Sequence, residues 1–137
     1  MRHRIMQRSA VWLMLFVTLA VASPPALATS TIVTFRSTDN RYEVELYVGG
    51  GSEENGGIAG AMVGWPGHER RGLPVDAAKY HMDKEHTRAG ARFVNPGDAK
   101  LPPSLTLEIQ GKNGRMTIGK RVILGNASWL VGPYSLP

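Results

Sequence analysis

From Leu105 to Leu124 apolar and polar residues alternate, and an Asn-Gly pair interrupts them. Leu105, Leu107 and Ile109 stand against Thr106, Glu108 and Gln110, and Asn113-Gly114 follows. A period of two is the signature of a strand with one dry face, and Asn-Gly takes the two left-handed positions of a type I′ turn. With Asn113 and Gly114 as the loop, Lys112 faces Arg115, Ile109 faces Ile118 and Leu105 faces Val122, so the ribbon gains one apolar face. A two-stranded ribbon is not stable alone in water, so the rest of the chain has to cover that face.

Other segments carry the same period. Val33 and Phe35 alternate with Thr34 and Arg36 up to the turn residues Ser37-Thr38-Asp39-Asn40; Tyr42, Val44, Leu46 and Val48 then alternate with Arg41, Glu43, Glu45 and Tyr47. This reads as a second hairpin. Residues 58–65 read as a glycine-interleaved strand, residues 91–94 as a short one ended by Asn95-Pro96-Gly97-Asp98, and residues 121–124 and 128–131 as two more, broken apart at Gly125-Asn126. Residues 68–74 read as a solvated loop. Asp76 could cap a helix over 77–88, but Ala78, Tyr80 and Met82 alternate, which favours a short strand and an exposed turn. The fold class is all-β: a small antiparallel sandwich or barrel of seven or eight short strands, with room for one short helix near 76–88.

The first 28 residues are of another kind. Arg2, Arg4 and Arg8 precede an apolar run over 10–22, followed by Ser23-Pro24-Pro25-Ala26-Leu27-Ala28. A positive start, a short apolar stretch and small residues in an Ala-x-Ala pattern form a secretory signal peptide, cleaved after Ala28. The apolar run falls short of the roughly 20 residues that span a bilayer. The expectation is a signal peptide at 1–28 and a single β domain at 29–137, periplasmic or secreted and with no membrane association after cleavage. Beyond the signal, thirteen basic residues face eleven acidic ones. No basic stripe with interleaved aromatics is present, so nucleic acid is not an expected partner. The chain has no cysteine, which leaves the domain without disulfide staples.

Candidate chemistry is thin. There is no cysteine nucleophile and no Gly-x-Ser-x-Gly turn. Glu43 and Glu45 are two apart on one strand face, without the different burial that separates two carboxylate pKa values. Gly114 to Lys120 has the spacing of a phosphate loop, but Arg121 follows where Ser or Thr is required. The expectation is no enzyme and no cofactor. His81, Asp83 and Glu85 share a face of an extended segment and form a candidate divalent-metal set, weighed against a solvated turn. Glycines dominate residues 49–57, which read as a flexible loop exposing Glu53 and Glu54. Tyr47 falls on the wet face beside that loop, and Lys120 falls by parity on the apolar face opposite Leu107. Tyr47, Glu53, Glu54 and Lys120 are therefore the candidate binding residues. The functional expectation is an exported noncatalytic binding module acting on another envelope or extracellular protein, as an inhibitor, immunity or accessory factor. A small-ligand or divalent-metal carrier is the alternative.

Overall fold

The computed structural model describes residues 31–130, so the expected signal peptide, its cleavage site and residues 131–137 lie outside the described residues. The alternating segments become nine antiparallel strands: β1 Thr31–Ser37, β2 Glu43–Val48, β3 Ile58–Gly64, β4 Arg71–Gly72, β5 Ala78–Met82, β6 Arg88–Phe93, β7 Leu105–Gln110, β8 Asn113–Ile118 and β9 Arg121–Leu130. They form one sheet in the order β4-β3-β2-β1-β9-β8-β7-β6-β5, curled into a half-barrel. Two meanders, β1–β4 and β5–β9, are thus joined by the pairing of β1 with β9. Val33, Phe35, Val44, Leu46, Ile58, Val63, Phe93, Leu107, Ile109 and Met116 fill the inside of the curl.

The helix considered near 76–88 does not form. A single 3-10 turn over Val75–Ala77 leads into β5, where Ala78 and Tyr80 are buried and Lys79 and His81 exposed. The period-two pattern wins because it lets Ala78 and Tyr80 join the common core. Residues 68–74 are not wholly irregular either, since β4 pairs with β3 through Met62–Gly72 and Val63–Arg71.

Because β9 is antiparallel to β1, strict alternation gives β4 and β5 the same direction. A parallel ladder between them would need a crossover of about a dozen residues. Only residues 73–77 intervene. Leu73 N donates to Ala61 O at 3.0 Å on the β3 side, and Val94 N donates to Ala77 O at 3.0 Å on the β6 side. The two pieces are the two ends of the curled sheet, separated at Pro74–Asp76, where Pro74 has no N–H to offer. The seam is bridged by side chain and loop: Asn55 Oδ1 accepts from Tyr80 N at 3.1 Å, and Gly56 lies against the Met82 backbone.

The central hairpin turns two residues earlier than the Asn-Gly pair suggests. Gln110 pairs with Asn113, Ile109 with Gly114 and Leu107 with Met116, so the loop is Gly111-Lys112. Gly111 takes φ 58° and Gly119 φ 59°, and each is followed by Lys, so both turns place Gly first as a type II′ turn requires. The second turn, Gly119-Lys120, removes Lys120 from the apolar face, and Val122 returns on the outside. The predicted break at Gly125-Asn126 is also absent, because β9 runs through it, with Asn113 paired to Asn126 and Gly114 to Gly125.

Phe35 explains both departures. Its ring covers the Gly114–Gly125 pair, and a Cβ at either glycine would lie 2.7 Å from Phe35 Cε1. These glycines supply space under a ring rather than turn conformation. We expect Gly114→Ala to cost about 1–3 kcal/mol by overpacking. Adding Phe35→Leu should recover part of it, giving a coupling of at least about 0.5 kcal/mol in a urea double-mutant cycle. Simple additivity would refute the packing account. Tyr80 makes a separate case. Its hydroxyl is buried without a partner among the described residues, and burial pushes its pKa up. Removing an unsatisfied hydroxyl relieves its desolvation cost, so Tyr80→Phe should raise the urea midpoint.

Candidate functional site

The residues singled out from sequence are dispersed. Tyr47 is on the outer face as expected, but it is half-buried and its hydroxyl donates to Glu45 Oε1 at 3.3 Å. Glu43 and Glu45 are also occupied: Arg36 and Arg70 pair with Glu43, and Arg70 with Glu45. This outer face of β1–β3 is electrically closed. Lys120 sits exposed in its tight turn.

Residues 49–57 are folded rather than a tether. Ser52 caps a 3-10 turn over Glu53–Asn55, Gly49 N and Gly51 N both donate to Gly57 O, and Gly49, Gly50, Gly56 and Gly57 all have positive φ. The glycines are used for conformations that other residues rarely adopt. Glu53 and Glu54 are exposed on this turn, and Glu53 shares an open groove of about 630 Å³ with Asp83, Lys84 and His86.

His81, Asp83 and Glu85 are not drawn together, and among the described residues no group of three His, Cys, Asp or Glu side chains is placed to hold a metal ion. His81 reaches across Gly90 on β6, where a Cβ would collide with the imidazole, and its Nε2 lies 3.1 Å from Glu108 Oε1 on β7. Asp83 is bound to the β5–β6 turn: Oδ1 accepts from Thr87 N at 2.8 Å and Arg88 N at 2.9 Å, and Oδ2 accepts from the Thr87 hydroxyl. Glu85 is exposed at the tip of that turn. The hydrogen bonds from Thr87 and Arg88 hold the Asp83 carboxyl down at about 2.

The sequence reading missed what the topology assembles from five separate strands. On the outer face of β5–β9 stand Lys79, Arg88, Arg92 and Arg115, all exposed. Glu108 is the single carboxylate those five strands contain; it stands opposite Arg115 in the β7–β8 ladder without forming an ion pair with it, and its Oε1 lies 3.1 Å from His81 Nε2. No acidic partner lies within ion-pair distance of any of the four cations among the described residues. Polar and aliphatic groups surround them. A groove of about 400 Å³ lies between Arg88, Gln110, Asn113, Arg115 and Leu124, and Val122 and Leu124 are 51% and 61% exposed on the same face. Cations, amides and bare aliphatic side chains together suit an interface with an acidic surface. In sequence each strand shows only its own charges, and the acids between Ala78 and Phe93, Asp83 and Glu85, lie in the β5–β6 turn; only the register shows that the cations share a face.

The interior offers less, because Phe35, Phe93, Leu46, Ile58, Leu107, Ile109 and Met116 fill it. No helix among the described residues is long and apolar enough to cross a membrane.

Asp83 gives a pH test of the turn. Its folded pKa of about 2 lies below the ordinary 3.8, so its contribution is fully present above about pH 4 and is lost as pH falls through about 2. Asp83→Asn should therefore lower the melting temperature slightly at pH 7, with the difference from wild type vanishing between about pH 4 and about pH 2. A difference independent of pH would show that the turn does not depend on the carboxylate charge. No protein-family model, no curated protein and no solved structure matches this chain.

Proposed function

We propose that this chain is an exported, noncatalytic binding module that docks on another envelope or extracellular protein through the outer face of β5–β9. One observation carries the reading: Lys79, Arg88, Arg92 and Arg115 share a face with a single carboxylate, already engaged by His81. A concentrated charge of one sign attracts partners of the other, and exposed Val122 and Leu124 beside it supply apolar area that water does not favour. The partner this face suits is a protein with an acidic surface patch.

Docking by strand addition has less support. β4 has two residues, and the outer edge of β5 gives its Tyr80 N–H to Asn55, so little free backbone edge is left to template another strand. The Gly49–Gly57 segment is likewise occupied with bridging the seam.

The test is affinity capture from the envelope and secreted fractions of the source organism. One dominant, saturable protein is expected, released as salt is raised from about 0.15 to 1 M because exposed charges are screened. The combined K79E/R88E/R92E/R115E variant should lose at least about tenfold in affinity with its melting temperature retained, whereas E53K/E54K and Y47A should bind as wild type. Capture lost through Tyr47 or Glu53–Glu54 but kept by the four-charge variant would move the interface to the loop and overturn the assignment.

A further inference from the structure

An unusual pair of neighbours lies on the cationic face. Lys79 on β5 pairs directly with Arg92 on β6, both exposed. Like charges opposite one another in a ladder repel. Nothing nearby relieves them: Glu108 is held by His81, and Asp76, at the rim, makes no ion pair with either. Two residues along the same ladder the hydrogen bond from Val94 N to Ala77 O continues the pairing, and Val94 is 56% exposed. The outer face therefore carries an aliphatic pair, Ala77 and Val94, followed two residues on by a cationic pair. Pro74 and Pro96 complete the wall of an open groove of about 620 Å³ that contains all six residues.

We propose that this groove is a socket for an extended acidic segment of the partner protein, with a carboxylate between Lys79 and Arg92 and an aliphatic side chain against Ala77, Val94 and the prolines. The inference rests on the docking reading and names its contact chemistry. A bare anion would leave the hydrocarbon wall wet, and an apolar segment would leave the two cations unneutralised. An occupant that satisfies both carries both groups at the ladder's own spacing. Two residues along a strand span about 7 Å, and in an extended peptide side chains two apart point the same way. The segment that fits is aliphatic-x-acidic, not aliphatic-acidic. The prolines and the Val94–Ala77 hydrogen bond hold the wall in place before anything binds, which limits the ordering cost of association.

The experiment uses the ¹⁵N-labelled protein and four short peptides: acetyl-Val-Ser-Glu-Ser-amide, its Gln counterpart, acetyl-Ser-Ser-Glu-Ser-amide and the respaced acetyl-Val-Glu-Ser-Ser-amide. The first should shift the amide resonances of Ala77, Lys79, Arg92 and Val94. The Gln peptide, and the first peptide on K79Q/R92Q, should bind about tenfold more weakly; the other two should bind several-fold more weakly, and Arg115→Ala should change nothing. Equal binding of the Glu and Gln peptides, or shifts elsewhere, would overturn the socket. Equal binding of the respaced peptide would reduce it to a nonspecific anion site and overturn its aliphatic half. If the peptides fail while the four-charge variant still abolishes capture, the socket is wrong and the docking face stands. Peptide binding with no charge-dependent capture would leave the socket and remove the docking face.

Discussion

The structure depends on one flat contact, the ring of Phe35 laid across the Gly114–Gly125 pair. Within the sheet ladder the two meanders are joined through β1 and β9, which come from opposite ends of the described chain. That pairing is long-range and closes late in entropic terms, so it needs a feature that recognises its own register. The inward positions of β8 and β9 are Gly114, Met116, Ile118 and Ile123, Gly125, Ala127, Trp129. A slip of two residues would bring Ile123 where Gly125 lies and leave no slot for the ring. A slip of one would turn Phe35 out into water. The rest of the join supports the same register: Trp129 Nε1 donates to Gly111 O at 2.8 Å at one end, and Arg121 donates to the Tyr42 hydroxyl at 3.0 Å at the other.

This contact also shows why the sequence was legible in its strands and misleading in its turns. Alternation at 31–36, 41–48 and 105–110 gave the correct faces because burial of one side is a local property. Asn95 was equally readable, and its Oδ1 accepts from Gly97 N and Asp98 N in the Asx turn that Asn-Pro-Gly-Asp implies. A glycine, however, has two unrelated uses. Gly111 and Gly119 are needed for positive φ, Gly114 and Gly125 for the absence of a side chain. Asn113-Gly114 and Gly125-Asn126 look like turns, and they are mirror partners in mid-ladder. Nothing within a few residues of Gly114 reveals Phe35, nearly eighty positions away. The candidate site was less legible still. Tyr47 stood out as an exposed contact residue and Asp83 as part of a metal set with His81 and Glu85, and each proved engaged with neighbours a few residues off. The cations that share a face come from three strands, β5, β6 and β8, so their grouping is visible only once the strands are paired.

The ninth strand is the two-residue β4, formed where residues 68–74 read as loop, and it and β5 are the two edges of the curled sheet. Such edges invite pairing with other chains. Here they are blunted by brevity on one side and by Asn55 on the other, and the cost is a loop of glycines folded to reach β5. The break at Pro74–Asp76 leaves Val75 82% exposed, while Val94 is outward by the alternation that buries Phe93, and it lines the groove beside Lys79 and Arg92.

Charge is distributed along the same division. The described chain is nearly neutral, yet its two meanders are unlike. In β1–β3, Glu43 and Glu45 lie between Arg36 and Arg70, and each charge is satisfied at short range. In β5–β9 none of the four outer-face cations makes an ion pair among the described residues, although Arg115 stands opposite Glu108. Exposed pairs contribute little to stability, so the first arrangement is not a matter of holding the fold together, and the second is not forced by it. What differs is the field outside the molecule. A self-paired face is nearly silent beyond a Debye length of about 8 Å, whereas an unpaired cationic face projects attraction and orients an approaching acidic surface before contact. Orientation matters on a curled sheet, because only one side of the cylinder carries the aliphatic wall. On the docking proposed above, segregating the charge toward that side turns the apolar groove toward an acidic partner first.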